Sequence, residues 1–189
     1  MTKKTIQLLF LVSTAYVCIS AFLYFQYGRA GVVAKTNCLR FHSGTATVEV
    51  TYTDVLFSNS FDYGIRLYKK EDANKIGTTE DAMPVISVDD SGGLSYDSVD
   101  SIVKGSELIS QGPRFDKKTT LSGLEAALAT PSLDHFYYEV PLGNRVLNVD
   151  YIPDQLTPIE RKQTDDMLSK IVFKQVPDDV KPSSLDHCE

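Results

Sequence analysis

No tryptophan, no run of basic residues and no recognisable catalytic motif occurs in this chain. Each absence narrows what it can do. With 25 acidic against 19 basic residues and a net charge of −6, it lacks the electrostatic footprint of a nucleic-acid binder. Its only histidines are His42, His135 and His187, and no Gly-x-Ser-x-Gly elbow accompanies them, so a nucleophile with an oriented base is not legible. The local pairs Asp134-His135 and Asp186-His187 read as solvated. Gly92-Gly93 and Gly105 are too isolated to form a phosphate-cradling loop. Asp89-Asp90-Ser91-Gly92-Gly93 resembles half a calcium loop, but the later bidentate glutamate is missing, and turn chemistry accounts for it. No cofactor is expected, and binding is expected in place of catalysis.

Charge is missing altogether from Ile6 to Tyr27. As a helix rising ~1.5 Å per residue, this stretch is long enough for a hydrocarbon core of ~30 Å. Tyr24 and Tyr27 stand at its far end, where amphipathic rings favour the membrane boundary. The rival is a cleaved signal peptide, with Ser20-Ala21 or Ala34 as the small residues, but the apolar run is long for one. The expected organisation is a cytoplasmic tail over residues 1–5, a transmembrane anchor over 6–27, a connector over 28–44, an α+β domain over 45–176 and a tail over 177–189. Lys3 and Lys4 favour a cytoplasmic N-terminus. Arg29, Lys35 and Arg40 follow the apolar run and leave the charge count undecided.

Cysteine is scarce too, at three residues, and its placement bears on the side of the membrane. Cys18 lies inside the apolar run. Cys38 and Cys188 bracket the domain, as a disulfide would if it tied the tail back, and that needs an oxidising compartment. The expected location is therefore the bacterial inner membrane, single-pass, with the domain in the periplasm. A zinc site of Cys38, His42, His187 and Cys188 is the alternative, although two-ligand knuckle spacing is absent.

What remains is rich in β-formers. Thr45 to Thr53 alternates with Ala46, Val48, Val50 and Tyr52 on one face, a half-buried strand. Ser58-Asn59-Ser60 reads as a turn leading to a second strand, Phe61 to Tyr68, paired with the first as a hairpin. Val85 to Val88 and Leu94 to Tyr96 read as short strands, and Val99 to Ile109, with neither period dominant, as another. Thr120 to Ala129 reads as a helix, with Ser122 and Glu125 at capping-box spacing and Leu121, Leu124 and Leu128 on one face. His135–Val140 and Arg145–Ile152 form a hairpin around Pro141-Leu142-Gly143-Asn144. Thr157-Pro158-Ile159-Glu160 opens a second helix with Ile159, Met167, Leu168 and Ile171 on one face, and Val172 to Val176 adds a strand. The fold class is thus α+β, a mostly antiparallel sheet with two helices after an N-terminal transmembrane helix. Ten tyrosines and nine phenylalanines supply candidate contact residues: Tyr63, Tyr68, Phe136, Tyr137 and Tyr138 can line a pocket or present a surface, or belong to the core.

A Lys-rich start, one anchor, Cys38 soon after it, a β-rich domain and Cys188 at the far end together resemble the small single-pass periplasmic proteins of the FidL-like family. The segment Tyr96–Leu108, centred on Ile102-Val103-Lys104, is loosely similar to that family. The resemblance implies an accessory protein that acts with a membrane-bound transcription regulator, in the manner of ToxS-type partners. The expected partners are membrane lipid through the anchor, a protein in the membrane or periplasm, and a small apolar ligand that the pair senses. Two other readings stand beside it: an immunity or inhibitor protein whose acidic surface meets a basic toxin, and an enzyme of unrecognised type using His42 or His135.

Overall fold

The strongest alternation in the sequence lies in the middle of a four-stranded sheet. In the computed structural model, which describes residues 36–61, 64–76, 82–90, 96–108, 112–132, 134–176 and 186–188, Ala46, Val48, Val50 and Tyr52 are all buried on one face of strand β2 (Ala46–Thr53). Its partners are β1 (Thr36–Ser43), which forms inside the expected connector, and β10 (Val172–Gln175). The short β11 (Asp186–His187) completes the order β10-β2-β1-β11.

The second sheet has seven strands. Its members are β3 (Leu56–Phe61), β4 (Gly64–Lys69), β5 (Ile86–Asp90), β6 (Lys117–Leu121), β7 (Leu124–Ser132), β8 (His135–Leu142) and β9 (Arg145–Tyr151). They run in the order β3-β4-β5-β9-β8-β7-β6, every neighbour antiparallel. A main core joins the inward side chains of both sheets, including Phe41, Val48, Ile65, Leu67, Val88 and Leu147. Helix α2 (Pro158–Leu168) adds Met167 and Leu168 to it, and Ile171 follows. On the other face of the larger sheet, helix α1 (Val99–Leu108) buries Val99 and Ile102 against Phe115, Ala127, Ala129 and Val146.

This corrects the α+β class with its N-terminal transmembrane helix. Among the described residues the protein is mostly antiparallel β-sheet, 52% strand with few helices, and no helix there is long and apolar enough to cross a membrane. Ile6–Tyr27 lies outside the described residues. Thr120–Ala129 is a β6–β7 hairpin. Ser122 and Gly123 both take positive φ, 51° and 83°, as a two-residue type I′ hairpin turn requires, so Ser122 has no N-cap geometry. Val99–Leu108 is helical because Val99, Ile102 and Ser106 need one face against β7 and β8, a tertiary demand that local periodicity does not reveal. Ser58-Asn59-Ser60 lies within β3, which pairs with β4 while β2 pairs elsewhere.

Other expectations stand. The β8–β9 hairpin joins Leu142 to Arg145 across Gly143-Asn144. At the start of α2 the Thr157 Oγ1 accepts from the Glu160 N–H at 3.4 Å while Glu160 Oε2 accepts from the Thr157 N–H at 2.9 Å. Ile159, however, is 74% exposed, because at about 3.6 residues per turn it lies opposite Leu168 and away from the buried side of Thr164, Met167 and Leu168. Thr157→Ala should cost about 1 kcal/mol, read as a lower urea midpoint at unchanged m-value; an unchanged midpoint would show the box to be idle.

Candidate functional site

The consecutive aromatics Phe136-Tyr137-Tyr138 sit on a strand, and a strand sends alternate side chains to opposite faces. Phe136 and Tyr138 therefore turn toward the main core, while Tyr137 packs on Phe115 near α1, ring centroids 5.7 Å apart. Beside the first two lies an open cleft of about 270 Å³, lined by Thr120, Leu121 and Ser122 of the β6–β7 hairpin, Phe136 and Tyr138 of β8, Tyr151 of β9, and Arg161, Asp165, Leu168 and Ser169 of α2 and its C-terminus.

Three aromatic rings, with Leu121 and Leu168, make up the apolar part. Phe136 faces Tyr151 in register, their centroids 6.0 Å apart at an interplanar angle of 27°. The Tyr151 hydroxyl donates to Asp165 Oδ1 at 2.7 Å. Burial first, and that carboxylate second, push its pKa up, so the phenol stays protonated and remains a donor. Tyr138 is raised by burial and by Asp165 as well. At the rim, Arg161 Nη1 is 3.2 Å from Asp134 Oδ1, both side chains more than 40% exposed. Such a solvated pair is weak, which leaves the guanidinium available to exchange its partner for an anionic group. Ser122 Oγ donates to the Leu168 carbonyl at 2.7 Å and ties the hairpin tip to the end of α2. No histidine or cysteine is among the described lining residues, so the arrangement suits stacking and hydrogen bonding more than covalent chemistry.

The expected contact residues thus separate. Phe136 and Tyr138 line the cleft, and Tyr137 occupies the opposite face. Tyr68 is buried at 4% exposure, and Tyr63 lies outside the described residues. Sequence reasoning missed Tyr151, Arg161 and Asp165. The signal for the first was its alternation with Leu147 and Val149; the other two needed the position of α2.

Cys38 and Cys188 form a disulfide across 150 residues, Cα atoms 5.3 Å apart, which removes both thiolates from any zinc site. His42 Nδ1 instead lies 2.7 Å from Thr47 Oγ1, and among the described residues no group of three or more His, Cys, Asp or Glu could hold a metal ion. His135 is engaged by Asp150, Nε2 to Oδ1 at 2.5 Å, not by its neighbour Asp134. Of the acidic turn, Asp90 lies in β5, bonded by the Ser43 hydroxyl and 3.2 Å from Arg145 Nη1.

The outer face of the larger sheet carries a polar row. Glu139 of β8, Asn148 of β9 and Asp89 of β5 stand side by side in register. Burial pushes the Glu139 carboxyl up to about 7. Asp89 is also raised by burial, although the Asn148 amide at 3.2 Å and the Ser87 hydroxyl at 3.3 Å counteract it.

No protein-family model matches the chain, and neither a curated protein nor a solved structure does.

Proposed function

We propose that the chain is a non-enzymatic accessory protein of an oxidising, extracytoplasmic compartment such as the periplasm. It takes a small, largely apolar ligand bearing one acidic group into the cleft beside α2 and works with a protein partner, as its resemblance to FidL-like and ToxS-type proteins implies. The observation that carries this reading is the cleft, with an aromatic wall of Phe136, Tyr138 and Tyr151 and the solvated Arg161 at its rim. At about 270 Å³, it falls just below the usual range of ligand sites, ~300–1,000 Å³, and so suits no more than one or two fused rings. The Cys38–Cys188 bond supports the compartment, because such bonds persist where thiols are not kept reduced.

The probe is 2-naphthoate, titrated calorimetrically into the oxidised full chain. Binding with Kd on the order of 1 mM, about −4 kcal/mol, is expected. Tyr138→Ala should weaken it by about 0.5–1.5 kcal/mol, the worth of one aromatic pair. Arg161→Ala should weaken 2-naphthoate but not uncharged 2-naphthylmethanol. Absence of saturable heat, or binding indifferent to both substitutions, contradicts the cleft reading. For the partner, co-purification after mild solubilisation is expected, and a chain that always runs alone contradicts it.

A further inference from the structure

The outer face of the seven-stranded sheet sets one amide between two carboxyls. Across β4, β5, β9, β8 and β7 the register runs Gly64, Asp89, Asn148, Glu139, Ala127. Residues opposite one another on adjacent antiparallel strands have Cβ atoms about 4.5–5.5 Å apart, so both carboxyls lie within reach of the amide. Asn148 Nδ2 donates to Asp89 Oδ1 at 3.2 Å. Asn148 Oδ1 is buried and has no hydrogen-bond partner among the described residues. A buried acceptor left without a donor is costly. An amide that gives its nitrogen to β5 turns its oxygen toward β8, where Glu139 stands in register.

The nitrogen of an amide only donates and its oxygen only accepts, whereas an ionised carboxylate only accepts. The arrangement therefore closes when one of the two carboxyls carries a proton and donates it. Asp89 is the one that stays ionised. Burial raises it, and Asp150 adds to that, but bonds from Asn148 and the Ser87 hydroxyl and the charge of Arg66 oppose them. Glu139 has no such support: burial pushes it up to about 7 and nothing opposes the shift. The charged groups on the elements around it do not reach it. Lys118 of β6 pairs with Asp100 of α1, and His135 with Asp150. Glu125 of β7 and Lys104 and Glu107 of α1 do not offset its burial. Tyr137, beside it on β8, is pushed up by burial and then by Glu139, and stays neutral.

We infer that Asp89, Asn148 and Glu139 form a proton switch, binding one proton between them, carried on Glu139 and donated to Asn148 Oδ1. The bound proton completes a line of side-chain bonds across β5, β9 and β8. Its release leaves Asn148 Oδ1 facing a carboxylate, and the side-chain tie between β9 and β8 is lost. Between about pH 6 and pH 8 the occupied fraction falls from about nine-tenths to about one-tenth, as a single site with a midpoint of about 7 requires. The outer face of the sheet thus reads the acidity of its compartment.

The test is a pH titration of the isotope-labelled, oxidised full chain in dodecyl maltoside, followed by nuclear magnetic resonance. The Glu139 carboxyl carbon and the Asn148 side-chain amide are expected to move together, with one midpoint of about 7. Glu139→Gln supplies a donor that does not titrate, so the Asn148 amide should then stay still through neutral pH. Asp89→Asn frees the Asn148 nitrogen for an ionised Glu139 and should lower the Glu139 midpoint by about one pH unit or more. An Asn148 amide that stays still while Glu139 titrates overturns the inference, and so does a Glu139 midpoint in the ordinary carboxylate range. The unmodified chain alone decides both. An amide that still moves near neutrality in Glu139→Gln, or a Glu139 midpoint indifferent to Asp89→Asn, overturns it too. None of these results bears on naphthoate binding, because no member of the network lines the cleft.

Discussion

Cys188→Ser is expected to lower the unfolding free energy by about 2–5 kcal/mol, the usual loss for a native bridge. The bond closes 150 residues of chain, so its removal restores a large amount of conformational freedom to the unfolded state. The folded side contributes as well. β11 has only two residues in register with β1, Leu39 with His187 and Arg40 with Asp186, and the Cys188 N–H bond to the Cys38 carbonyl is long at 3.4 Å. Without the covalent tie so short a strand cannot offset the entropy of ordering the segment that carries it. Urea melts of oxidised protein, dithiothreitol-treated protein and the variant should show the last two coinciding below the first. Three coincident melts would mean the bond adds nothing.

Glu139→Gln should stabilise the protein at pH 8 and leave it unchanged at pH 4. In the unfolded chain this carboxyl titrates near 4.5, whereas burial in the fold moves it to about 7. Between those values the native state holds a proton that the unfolded state has released, so stability falls as pH rises through the window and levels off above it. The whole shift would correspond to more, but water still reaches the half-buried carboxyl. After that screening about 1–2 kcal/mol is expected at pH 8. Glutamine mimics the protonated form and escapes the cost. Glu49 and Glu160 are held below the usual carboxylate range, Glu49 by Lys174 and Arg40 against the opposing cost of burial, and Glu160 by its bonds from Thr157. Their stabilising effect is lost as pH falls, so the wild-type profile alone is mixed and the difference between variant and wild type is the readout. A constant difference across pH 4–8 would show Glu139 to titrate normally.

Where one face of a strand was buried and the other wet, the pattern was legible. Ala46 to Tyr52 declared β2, and the Thr157–Glu160 box declared α2, because each signal is local. The failures have a common physical origin. Leu121, Leu124 and Leu128 fit a helical face, yet Ser122-Gly123 could also make a tight turn, and pairing with β8 decided in favour of the hairpin. Val99 to Leu108 became helical because a small apolar patch of Phe115, Ala127 and Val146 needed a cover, and that patch exists only after the sheet forms. The disulfide was legible from two cysteines at opposite ends of the domain. The cleft was legible by half. Phe136 and Tyr138 were visible as aromatics, but which members of an aromatic run share a face depends on strand identity, and Arg161 and Asp165 reach the rim only through the packing of α2.

The central claim is that this cleft receives a ligand. Its most direct measurement is the set of intermolecular nuclear Overhauser effects between 2-naphthoate and the native, oxidised chain. Cross-peaks from the naphthalene protons to the rings of Tyr138 and Tyr151 are predicted, and to Tyr137, on the opposite face, none. Cross-peaks to Tyr137 instead, or to no tyrosine under conditions where calorimetry detects binding, would contradict the account.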